Sequence, residues 1–150
     1  MNDLKKELHK LCIHYVQKRI DTALQAINAT QQAANEETKS SAGDKYETGR
    51  AMMQQETDRN QAQLNEANKL MVALNHINAG TTFKTAETGS LVITDNGKFY
   101  IGISAGTLIL NGESYFAVSP GSPIGLKLKT QKIGEEFNLN GKTYRIENII

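Results

Sequence analysis

The chain has 150 residues, 39% of them hydrophobic, with 17 basic and 16 acidic side chains and a net charge of +1. That length holds one ordinary domain or two small ones, the apolar content is lean for a single globule, and so balanced a charge excludes coating DNA by bulk electrostatics. A lone cysteine, Cys12, excludes an internal disulfide framework, and the absence of a signal-peptide run or any membrane-length apolar stretch makes a soluble cytoplasmic protein the expectation.

Glycine and proline divide the chain, because ten of the twelve glycines and both prolines follow residue 79. In the first half, Leu4, Leu8, Leu11 and Tyr15, then Val16, Ile20, Leu24 and Ile27, recur three or four apart, as one face of an α-helix requires. A second proline-free run, roughly 46 to 77, repeats Met53, Asn60, Leu64, Ala67, Met71 and Leu74 near heptad spacing. The pattern predicts an antiparallel helical hairpin over residues 1–78. Its apolar side chains gather near 4–27 and 64–77. Towards the turn the seam becomes polar, with Gln31, Gln32, Asn35, Gln54, Gln55 and Asn60 too polar to dock the tip on the rest of the chain. The tip is therefore expected to project into solvent on an arm of roughly 45 Å, at 1.5 Å per residue for helices of about 30 residues.

The turn itself, near 40–48, reads Gly43-Asp44-Lys45-Tyr46-Glu47. Side chains three apart on a helix are neighbours, so Asp44 and Glu47 can present carboxylate oxygens to one metal ion. Two carboxylates make a poor Mg²⁺ site alone, because this ion keeps several waters and favours sites completed by phosphates or other ligands. A partner must supply the rest. Lys39, Lys45 and Arg50 would offset phosphate repulsion against the acidic pair. The same residues also read as plain helix capping, Asp44 as N-cap with Glu47 at N3, or Ser41 with Asp44. Tyr46 reads as a loop-packing aromatic. Gly49 costs on the order of 1 kcal/mol against alanine inside a helix, which predicts a second helix that starts later or is loose at its tip.

His9, Cys12 and His14 superficially suggest a metal cluster. His9 and Cys12 share a helix face while His14 points elsewhere, and no second ligand pair follows, so packing is the better reading. With no phosphate-binding glycine loop, no nucleophile elbow and no histidine after residue 79, an independent enzyme is not expected.

From 79 to 150 the chain has short β-rich runs: 91–94, 98–103, 107–110, 115–118, 136–139 and 142–146. Asn111-Gly112 and Asn140-Gly141 are hairpin signals, since both residues tolerate positive φ. A small, mostly antiparallel sheet domain follows, with a short helix from Pro123 to Leu128 across one face after the Ser119-Pro120-Gly121 break.

The order of these parts resembles the bacterial Gre-type transcript cleavage factors. The resemblance rests on a helical hairpin with Gly43-Asp44 and Glu47 at its turn, Gly89-Ser90-Leu91-Val92 opening a sheet domain, Ser122-Pro123-Ile124-Gly125, and a last strand around Tyr144-Arg145-Ile146. It implies an α+β protein with an FKBP-like C-terminal domain that grips RNA polymerase beside its secondary channel through Ser122, Pro123 and Ile124. It further implies that Asp44 and Glu47 act in trans, helping the polymerase retain Mg²⁺ and hydrolyse the extruded 3′ end of the nascent RNA. No cofactor of the isolated chain and a monomeric state are expected. After the tip glutamate the family usually continues Asn-Ala-Glu-Tyr, and this chain reads Thr48-Gly49-Arg50-Ala51. Two other classes stay open: a regulator that occupies the channel without cleavage, and a coiled-coil or FKBP-like protein-interaction module.

Overall fold

The computed structural model describes the backbone of residues 2–40 and 44–150 and the side chains of residues 3–36 and 49–150. Two long helices come first, α1 over Asn2–Ser40 and α2 over Asp44–Asn75. A six-stranded sheet follows, with β1 at Leu91–Thr94, β2 at Gly97–Ile101, β3 at Gly106–Leu110, β4 at Glu113–Val118, β5 at Glu136–Leu139 and β6 at Lys142–Ile149. Between β4 and β5 lies α3, Pro123–Leu128. The fold is α+β, as the residue pattern requires. By packing, the chain divides into two units, one made of Met1–Tyr15 with Val72–Ile150 and the other of Val16–Met71. Composition shifts at residue 79, but packing divides the helices themselves.

The Val16–Met71 unit buries small side chains. Among its described residues, Val16, Ala23 and Thr30 on α1, and Asn60 and Ala67 on α2, are the buried positions, spaced by sevens along each helix. The wider apolar face expected on α1 is only partly sequestered. Leu24 is 45% exposed, because a stripe spaced by fours drifts off a seam spaced by sevens. Gln31, Gln32, Asn35, Gln54 and Gln55 are exposed, but Asn60 is buried in the seam. The Thr30 hydroxyl donates to the Ala26 carbonyl at 2.9 Å, whereas the Asn60 side-chain amide nitrogen has no hydrogen-bond partner.

In the other unit the sheet order is β3-β4-β2-β1-β6-β5. All neighbouring pairs are antiparallel except β2 with β4, which run parallel with Phe99 opposite Phe116. The two Asn-Gly turns form as their residue types demand, with φ of 53° and 79° at Asn111 and Gly112, and 51° and 79° at Asn140 and Gly141.

Strand alternation separates two cores. One face carries Val92, Phe99, Ile101, Phe137, Ile146 and Ile149, joined by Ala86 and by Leu128 of α3. An aromatic series runs across it: Phe137 stacks on Tyr144 at 5.0 Å between centroids, Tyr144 meets Phe99 edge-on at 6.0 Å, and Phe99 stacks on Phe116 at 5.6 Å. On β2, Tyr100 points the opposite way, is fully buried, and its hydroxyl lies 2.9 Å from His9 Nδ1 on α1. Leu8, Cys12 and Leu74 are fully buried in the same unit, so the first turns of α1 and the end of α2 form part of the sheet's own core.

Candidate functional site

The tip pair is placed by the start of α2. Asp44 is the first residue of that helix and Glu47 lies three positions on, within its first turn. Gly49 does not delay the start: α2 runs through it. The side chains of Lys39, Asp44, Lys45, Tyr46 and Glu47 lie outside the described residues, and Arg50 is exposed. Two oxygen-bearing residues three apart in a first helical turn have the donor chemistry that Mg²⁺ accepts, with most of its coordination left to water or a partner. Among the described residues no group of three or more His, Cys, Asp or Glu is placed to hold a metal.

The second predicted site begins α3. Ser122 is the helix N-cap, its Oγ accepting from the Gly125 N–H at 3.1 Å and donating to the Ser119 carbonyl at 2.7 Å. Pro123 follows in the first helical turn, where its missing N–H is harmless. These bonds commit the Ser122 hydroxyl to local structure. Ile124 packs partly buried against the core, leaving Pro123 exposed, with Leu126 63% exposed further along the helix. Gly125 is fixed by sterics, because a Cβ there would sit 2.1 Å from the Ser119 carbonyl oxygen.

Beside α3 lies a cavity of about 270 Å³, lined by Phe83, Glu87, Thr88, Ile101, Pro120, Gly125, Lys129 and Thr130. Sequence reasoning missed it, since its residues come from four separated segments and only Pro120 and Gly125 belong to motifs that the sequence singles out. Thr130 was legible only as the polar residue after α3, yet it holds φ of +67°, a strained conformation for a β-branched side chain. Its N–H donates to the Ala86 carbonyl at 2.8 Å, and Ala86 N–H donates to the Gln131 carbonyl at 2.8 Å, so the loop is pinned on both sides.

Behind Phe83 lies a buried cation. Lys5 is fully buried, its ammonium donates to the carbonyls of Thr81 and Gly89 (3.1 Å for the latter), and it lies 4.8 Å from the centre of the Phe83 ring. Burial lowers its pKa, while two carbonyls and a ring face favour the charged form. Of the supposed metal trio, Cys12 is fully buried and burial raises its thiol pKa to about 11. His9 is half-buried with its pKa lowered by desolvation, opposed by a backbone hydrogen bond to Leu74, and His14 is exposed. His9 is thus engaged by Tyr100 and the α2 backbone.

No protein-family model matches the chain, and no curated protein matches it.

Proposed function

We propose that the chain is a transcription elongation factor that binds RNA polymerase at its secondary channel and stimulates hydrolysis of backtracked RNA through Asp44 and Glu47. One observation carries this reading. A helix of 39 residues and a helix of 32 residues are joined by a short connection, and Asp44 and Glu47 fall in the first turn after it. Paired carboxylates there are useful to a phosphoryl-transfer centre that already holds one metal ion and lacks ligands for a second. Mg²⁺ would supply activation of the attacking water; Asp44 and Glu47 would hold it only together with groups of the polymerase. Lys39, Lys45 and Arg50 would steady the RNA phosphates. The sheet unit, read as FKBP-like, would grip the polymerase beside the channel through the exposed start of α3 at Pro123, with Ser122 and Ile124 shaping that surface.

The test is a stalled elongation complex incubated with purified protein. The wild-type chain should shorten the transcripts from the 3′ end, and Asp44→Ala combined with Glu47→Ala should abolish that shortening while leaving co-purification with core polymerase intact. Shortening that survives the double change overturns the reading. Thr48-Gly49-Arg50 favours a second reading, a channel-binding regulator that does not cleave. It requires polymerase binding with transcripts of unchanged length.

A further inference from the structure

We propose that the cavity beside α3 is a binding site for a small amphipathic carboxylate, its apolar body against Phe83, Ile101 and Pro120 and its carboxylate at Lys129. The proposal is independent of the tip residues. Three observations carry it. The cavity, about 270 Å³, has the size and apolar lining of a site for a ligand of about a dozen non-hydrogen atoms. Its rim carries one charge of each sign, at Lys129 and Glu87. Lys129 makes no side-chain hydrogen bond or ion pair among the described residues, while the Glu87 carboxylate already accepts from the Thr85 hydroxyl at 3.2 Å. Lys127 and Lys132 flank the same stretch of chain.

The second wall tips that balance towards an anion. Phe83, which lines the cavity, has the Lys5 ammonium 4.8 Å from its ring centre, and Lys5 is hydrogen-bonded to neutral carbonyls alone. A buried cation that forms no ion pair among the described residues acts over longer range than an exposed one, because solvent screens it less. The third observation is Thr130. A β-branched residue at φ of +67° persists only where its surroundings over-determine it, and here backbone bonds with Ala86 hold it against the cavity. Those bonds keep the Lys129–Thr130 rim in place before a ligand arrives, so little ordering cost falls on binding.

The experiment titrates ¹⁵N-labelled full chain with hydrocinnamate and, separately, with hydrocinnamide, a neutral molecule of the same size. Hydrocinnamate should shift the amide signals of Thr88, Ile101 and Thr130, with an affinity in about the millimolar range. Hydrocinnamide, and hydrocinnamate on Lys129→Ala, should each bind roughly tenfold more weakly, as loss of one charge-assisted hydrogen bond implies. Thr88→Trp, which places an indole at the exposed rim without touching the lysine, should remove the shift at Ile101. Equal binding of acid and amide, undiminished binding to either variant, or no shift up to the solubility limit of hydrocinnamate overturns the proposal.

Discussion

At Gly125 a single hydrogen atom decides whether the loop before α3 can approach the helix. The added methyl of alanine would meet the Ser119 carbonyl oxygen at 2.1 Å, the Ser122 hydroxyl at 2.9 Å and the Pro120 carbonyl carbon at 3.0 Å. Two of those three atoms are backbone, so nothing flexible can swing aside. Gly125→Ala should therefore cost about 2–3 kcal/mol of stability, as overpacking does, and lower the thermal unfolding midpoint. A midpoint within a degree of wild type would show that the loop can retreat freely. Sequence alone showed the glycine and the N-cap serine, and hence the helix start. It did not show the close approach, which depends on where residues 119 and 120 return against α3.

Among the elements, the two long helices and the sheet were legible for different reasons. Heptad recurrence of Asn60, Ala67 and Leu74 located α2, and all three are buried. On α1 the large side chains drew the reading towards Leu24, whereas the fully or nearly buried series contains Lys5, Cys12, Ala23 and Thr30. Small or polar residues at a tight seam are invisible to a count of large apolar ones. The buried Asn60 amide, left without a partner, gives a test of that seam. Asn60→Leu keeps the volume and removes the unpaired donor, so it should stabilise the chain by about 1–3 kcal/mol. A rise in the urea midpoint at unchanged slope would register this gain. A fall would mean that the amide is satisfied in solution. In the sheet, residue types marked every strand and both Asn-Gly turns. The parallel pairing of β2 with β4 was not legible, because it puts β3 outside β4 through contacts that no local signal encodes. The carboxylates Asp44 and Glu47 are proposed from residue type and spacing; the cavity was not legible, because its lining residues are scattered along the chain.

For the whole molecule, the groups buried where α1 meets the sheet set the response to alkali. The Cys12 pKa is raised from 9.0 to about 11, so the native state holds this proton more tightly than the unfolded chain does. Its contribution is present below pH 9 and is lost as pH rises from 9 through about 11, amounting to about 2–3 kcal/mol. Tyr100, also shifted upward by burial, adds loss in the same direction at higher pH. Lys5 acts oppositely, since its lowered pKa makes the folded state gain stability as the ammonium loses its proton. Comparing urea midpoints of the wild type and Cys12→Ala at successive pH values isolates the thiol. The two should diverge less with each step above pH 9, and a constant difference would mean that the thiol titrates normally.

That meeting of α1 and sheet also orders the events of folding. Residues 1–15 share one unit with residues 72–150, in which Ile150 bonds to Leu91 through both its N–H and its carbonyl. The Val16–Met71 unit, built from contacts local to itself, can form early. Helix order within residues 16–71 therefore removes much of the chain freedom that the other unit, discontinuous in sequence, would otherwise have to restrict in closing a flexible loop of that length.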